Sequence, residues 1–142
     1  CVDDTCLATG ELLAVKDTPF DFNKRKRIGQ DLEADHIQLK NAFGYDHSFV
    51  LNGTENQLTL EEPVSGRRLI ISTTAPVIQV YTGNFLKDGC IGKAGRVYEN
   101  REGVALETQL MPNAINTEEN PSTILRKGDK FESNTKYVFE IM

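Results

Sequence analysis

The sequence predicts an all-β fold, and three observations carry that expectation. Short runs rich in Val, Ile, Thr, Tyr and Phe recur along the chain, bounded by Gly, Pro, Asn and Asp, which is the pattern of strands closed by turns. The last run alternates cleanly, with Tyr137, Phe139 and Ile141 on one face and Lys136, Val138 and Glu140 on the other, so this strand is expected to be half buried. The composition, 39% hydrophobic and 26% charged over 142 residues with a mean hydropathy of -0.39, suits one soluble globular domain rather than a disordered or membrane chain.

In chain order, strands are expected near 11–15, 47–52, 57–62, 67–74, 77–82, 104–110 and 135–141. Residues 23–44 break the pattern. Their polar run around Ile28, Leu32, Ile37 and Leu39 predicts either a short helix or an irregular loop. Residues 111–124, from Met111-Pro112-Asn113-Ala114 to Asn120-Pro121-Ser122-Thr123, form a long connection full of turn formers. Connections of that length between strands often wall a binding site. No internal repeat, low-complexity tract or linker interrupts the sequence.

The charge balance excludes some partners. With a net charge of -5 and a pI near 5.1, the chain lacks the clustered, unbalanced Lys and Arg that nucleic acid requires. The one basic run, 24–27, sits beside the acidic stretch 31–35 and reads as a solvated face or loop. Cys1, Cys6 and Cys90 are an odd count without metal-ligand spacing, which implies neither a disulfide framework nor a zinc site, and a reducing cytoplasm is the expected compartment. No apolar run approaches the roughly 18 residues of a membrane span, and the N-terminus has neither region of a signal peptide. The Asn52-Gly53-Thr54 sequon carries no meaning in a cytoplasmic protein. The chain opens on Cys1 rather than Met, so an upstream segment is expected.

Three segments carry candidate chemistry. In Val104-Ala105-Leu106-Glu107-Thr108-Gln109-Leu110 the period of two puts Ala105, Glu107 and Gln109 on one face. A carboxylate in the middle of an apolar strand is paired, solvent-facing or kept for chemistry. In Pro76-Val77-Ile78-Gln79-Val80-Tyr81 an amide and a phenol share a face opposite Ile78 and Val80. That pair suits either a sugar site, where hydroxyls meet mixed donors and acceptors beside a flat ring, or a solvated sheet face. In Gly44-Tyr45-Asp46-His47-Ser48 alternation sends Asp46 and His47 to opposite faces, so the two do not act on the same substrate atom.

Further motifs accompany these: Val2-Asp3-Asp4-Thr5, Thr9-Gly10-Glu11, Thr18-Pro19-Phe20-Asp21-Phe22, Ser65-Gly66-Arg67, Ser72-Thr73-Thr74, Tyr81-Thr82-Gly83-Asn84-Phe85 and Pro121-Ser122. In order and spacing, the whole set resembles the aldose 1-epimerase (galactose mutarotase) family. The Tyr-Thr-Gly-Asn and Leu-Glu-Thr-Gln segments are the most specific. The resemblance implies part of a large antiparallel β-sandwich, the galactose mutarotase-like supersandwich, with residues 1–142 as the C-terminal portion of a single domain. It makes Glu107 the catalytic base, and Asp46 and Gln79 substrate-binding residues, with Tyr81 or a nearby aromatic as a platform for the ring. The family's general-acid histidine, its second active-site histidine and its sugar-binding arginine and asparagine are expected upstream of Cys1, since neither His36 nor His47 matches their positions. The sequence departs from many relatives at Thr74-Ala75-Pro76-Val77-Ile78, a change that touches a turn.

The implied reaction interconverts the α and β anomers of a hexose such as glucose or galactose by acid–base ring opening, with no metal or other cofactor, because it moves only protons. Glu107 would need partial burial to raise its pKa toward working pH, which its apolar strand is expected to provide. The implied partners are the sugar, the N-terminal half of the same protein and, left open, a second copy in a homodimer; nucleic acid and membrane are excluded. A non-catalytic, carbohydrate-binding mutarotase-like protein is the alternative, against which Glu107 speaks. An epimerase of phosphorylated hexoses is a third reading, but no extra Arg or Lys marks a phosphate pocket near these motifs.

Overall fold

A computed structural model describes residues 1–87, 91–117 and 123–142. Cys90 and the Pro121-Ser122 motif lie outside the described residues. The chain is all-β in its regular structure apart from short helical pieces. The strands are β1 (Asp46–Val50), β2 (Leu58–Glu62), β3 (Arg67–Thr73), β4 (Val77–Tyr81), β5 (Ala105–Gln109) and β6 (Thr135–Ile141). They form two antiparallel sheets, one in the order β1-β4-β5 and the other in the order β2-β3-β6.

The sheets are joined where the chain leaves β3 and enters β4 through Thr74, Ala75 and Pro76, the turn at which the sequence departs from many relatives. A row of hydroxyls adds a second tie. Thr135 of β6 bonds Thr73 of β3 and Thr108 of β5, each at 2.9 Å. In the second sheet Arg68 pairs with Glu61 at 2.8 Å and reaches Glu140 at 3.4 Å, so a charge row crosses all three strands and favours this register.

The core beneath the first sheet is aromatic. Phe20, Leu39 and Tyr45 form its buried centre, with Phe22, Ile28, Leu32 and Phe49 packed around them. Phe20 meets the rings of Tyr45 and His47 edge-on at 5.3 and 4.7 Å, the arrangement that the ring quadrupoles favour. Residues 23–44 take both of the forms expected of them, a 3-10 turn (Ile28–Gln30) and a short helix α1 (Ile37–Ala42). The helix starts where His36 Nδ1 accepts the Gln38 N–H at 3.2 Å and stops at Phe43, which is left-handed with φ 55°. The N–H of Gly44 then returns to the Leu39 carbonyl at 2.9 Å, closing the helix end.

Three expectations are corrected. Residues 11–15 are not a strand: Leu12 and Leu13 are exposed, and no strand among the described residues pairs with them, because β-forming side chains do not supply the partner that a ladder needs. The segment before them folds on itself instead, with Val2 bridged to Ala8. Strand β6 is not half buried: Tyr137, Phe139 and Ile141 are 46%, 78% and 75% exposed, because nothing among the described residues covers that face. The basic run 24–27 is not wholly solvated either. Lys26 tucks its ammonium over the Phe22 ring and holds Asp31 and the Pro19 carbonyl, each at 2.7 Å. No helix among the described residues is long and apolar enough to cross a membrane.

Candidate active site

The register of the first sheet brings the sequence-predicted residues together. Gln79 of β4 lies opposite Ser48 of β1 and Glu107 of β5, and Tyr81 lies opposite Asp46 and Ala105. Side chains on one face of a sheet stand about 5 Å apart across neighbouring strands, so these two rows make a single polar floor. An open cleft of about 370 Å³ lies over it, lined by Asp46, Gln79, Tyr81, Phe85, Glu107, Gln109 and Pro112. All four residues singled out from the sequence line this one cleft.

Phe85, Gln109 and Pro112 complete the lining beyond the four candidate residues. Gln109 is two residues from Glu107 and shares its face by alternation, a signal that was present in the strand pattern. Pro112 opens the long connection after β5, in keeping with that segment's expected part as a wall. Phe85 closes the Tyr-Thr-Gly-Asn-Phe segment just past the end of β4, and it is the nearby aromatic that the sequence left without a number.

The Tyr-Thr-Gly-Asn motif works mostly behind the floor. Thr82 and Asn84 are buried. The Asn84 amide donates to the carbonyls of Ala42 and Tyr45 at 2.8 and 3.1 Å, and Thr82 Oγ1 accepts the Tyr45 N–H at 3.2 Å. These bonds clamp the turn between α1 and β1 and so fix where Asp46 begins its strand. Gly44 has to be glycine there, since its φ is +137° and a Cβ would come within 2.5 Å of Asn84 Oδ1. Tyr81 spends its hydroxyl on the Phe85 N–H at 2.9 Å. Phe85 is held 54% exposed at the rim, its ring edge-on to that of Phe43 at 5.4 Å. The exposed aromatic surface beside the floor is therefore that of Phe85, with half-buried Tyr81 as its support.

Asp46 and Gln79 are joined directly. Gln79 Nε2 donates to Asp46 Oδ1 at 2.7 Å, and Ser48 Oγ donates to Gln79 Oε1 at 2.5 Å. Glu107 differs from expectation: within this chain it is exposed. Strand β5 is the edge of its sheet and the cleft is open above it, so the apolar residues beside Glu107 bury the opposite face and not its carboxylate.

The two histidines lie away from the cleft. His36 caps α1. His47 is buried on the far face of β1, where its Nδ1 accepts the Asp46 N–H at 3.0 Å and its Nε2 has no partner among the described residues. Burial pushes its pKa down from 6.5 to about 4. Because the folded value lies below the unfolded one, the unfolded chain takes up the proton first as pH falls. The stability is complete above about pH 6.5 and is lost on the way down to about pH 4, by about 3 kcal/mol at most. Thermal melts of the full-length protein between pH 7 and pH 4 are expected to show Tm falling through this window. The fall should be clearly shallower in His47→Phe; an equal slope in the variant would remove His47 as its cause.

Comparison with known proteins agrees with the geometry. The aldose 1-epimerase family model matches residues 1–138. The chain is 38% identical to galactose mutarotase from Sus scrofa over 143 aligned residues, which cover 99% of this chain and 40% of that protein. It is 34% identical to aldose 1-epimerase from Escherichia coli strain K12, over 97% of this chain and 41% of that one. Among solved structures, an aldose epimerase homologue from C. elegans superposes with a TM-score of 0.83 at 30% identity, over 99% of this chain and 42% of that one. A galactose 1-epimerase from Lactobacillus acidophilus NCFM gives 0.74 at 31% identity, over 99% and 40%. The chain thus spans about two fifths of the length of these relatives. The two antiparallel sheets are part of the galactose mutarotase-like fold, and the chain belongs to the aldose 1-epimerase family.

Proposed function

We propose that this chain is the C-terminal portion of an aldose 1-epimerase that interconverts the α and β anomers of hexoses such as glucose and galactose. The observation that supports this most is the polar floor itself: Asp46, Gln79 and Glu107 come from three adjacent strands and line one open cleft. Glu107 removes the proton from the C1 hydroxyl while a histidine protonates the ring oxygen. The C1–O5 bond breaks, the C1–C2 bond rotates, and reclosure from the other face reverses both proton transfers. Asp46 and Gln79 hold ring hydroxyls, and Phe85 offers an apolar face to the sugar's carbon skeleton.

The acid belongs to the upstream part of the protein. His47, which stays neutral down to about pH 4 and lies on the far face of β1, has neither the proton nor the position for the task. Galactose is named in two of the relatives above, and the cleft's mixed amide and carboxylate groups suit its hydroxyls. The proposed steps draw on one base and one acid and call for no metal or nucleotide.

Asp46→Ala and Gln79→Ala in the full-length protein are each expected to weaken galactose binding by about 1–3 kcal/mol, since each leaves a sugar hydroxyl without its partner. Titration calorimetry with galactose measures this. Unchanged affinity in both variants would mean that the sugar does not bind on this floor.

A further inference from the structure

The geometry points to Ser48 as a positioning residue for the sugar-binding pair, an inference that rests on the reading of Asp46 and Gln79 given above. Asp46, when ionised, only accepts hydrogen bonds, so the Gln79 amide must present its NH2 to it, as it does at 2.7 Å. That leaves Gln79 Oε1 pointing toward β1, where the half-buried Ser48 hydroxyl donates to it at 2.5 Å. Ser48 lies opposite Gln79 in the register of β1 and β4. It is not among the residues that line the cleft, and it borders an adjoining hollow that shares Gln79 and Pro112 with that cleft. Its hydroxyl is engaged by the Gln79 amide, so its effect on the sugar is relayed through Gln79.

Two consequences follow for the chain Ser48–Gln79–Asp46. With both ends of its amide engaged, Gln79 is held against rotation, which keeps its second N–H fixed for a sugar hydroxyl. The bond to Oε1 also polarises the amide, so that the N–H groups become stronger donors. Without Ser48 the amide has one anchor and turns about its last torsion, a broad one that resists rotation weakly. Asp46 then loses a fixed donor, and its carboxylate is free to rotate as well.

The test is steady-state polarimetry of the full-length protein with α-galactose. Ser48→Ala is expected to raise KM by about threefold to tenfold with kcat within about twofold, the pattern of lost ground-state and transition-state binding alike. Ser48→Thr, which keeps the hydroxyl, should restore KM to within about twofold. In a Gln79→Ala background Ser48→Ala should add less than about twofold, because the two residues act as one unit. Should Ser48→Ala fail to fold, Ser48→Cys fills the same space with a weak donor and is read by the same measure. An unchanged KM in the Ser48 variants, with Gln79→Ala still raising it, overturns the role of Ser48 and leaves the sugar floor standing. Full additivity of the two substitutions overturns it also. If Gln79→Ala leaves KM unchanged as well, both readings fall together.

Discussion

Glu107→Gln in the full-length protein is expected to lower kcat by about 10²–10⁴-fold while KM changes little. Glutamine keeps the length and planarity of the side chain, so contacts made in both ground and transition state persist. What disappears is the basic carboxylate oxygen that takes the C1 hydroxyl proton, because an amide oxygen accepts a hydrogen bond but is too weak a base to take the proton. The position of Glu107 makes this a clean experiment. Its carboxylate stands exposed on the outer strand of the floor, whereas Asp46 and Gln79 are bound to each other at 2.7 Å, so the substitution breaks no bond within that pair. Polarimetry of freshly dissolved α-glucose or α-galactose gives both quantities. A variant with near wild-type rate would remove Glu107 from the mechanism.

The floor was legible in the sequence as faces, and not as rows. Alternation is local, so Glu107 with Gln109, and Gln79 with Tyr81, could each be assigned to one face of a strand from the sequence alone. Which residue stands opposite which depends on register, and register depends on turns and on partners far away in the chain. Ser48 is the clearest example: a serine in a strand gives no signal until Gln79 is seen across from it. The Tyr81 to Asn84 motif shows the reverse case. It is conspicuous in the sequence as a mark of the family resemblance, yet Thr82 and Asn84 are buried in a clamp that sets the start of β1. A specific motif can be specific for a turn.

The errors have one physical cause. Residues 11–15 have the side chains of a strand, and β6 has the alternation of a half-buried one, but pairing and covering are properties of what lies alongside. For Glu107 too, an apolar strand predicted burial, and the edge position of β5 decided otherwise. Local sequence reports what a segment is suited to, and the surroundings decide whether it is satisfied.

The same unsatisfied surfaces predict how these 142 residues behave when expressed alone: they should show no mutarotation above background and should self-associate. The chemical argument comes first. With no acid at the ring oxygen, opening proceeds by unassisted protonation, which forfeits about 10²–10⁴-fold even with Glu107 in place. The structural argument concerns β6, where Phe139 and Ile141 are 78% and 75% exposed on the face they share with Tyr137. Among the described residues, the outer strands β1 and β5 of one sheet, and β2 and β6 of the other, each have one unpaired edge. Exposed edges recruit further strands and exposed apolar patches recruit one another, so oligomers or aggregates are expected at micromolar concentration. Adding the remaining part of the protein, in cis or in trans, should restore both a defined size and the activity. Size-exclusion chromatography of the isolated chain, and polarimetry with and without that remainder, are the two measurements. A monodisperse, cooperatively melting and fully active 142-residue protein would put the acid within this sequence, and His36 and His47 would then be the residues to replace.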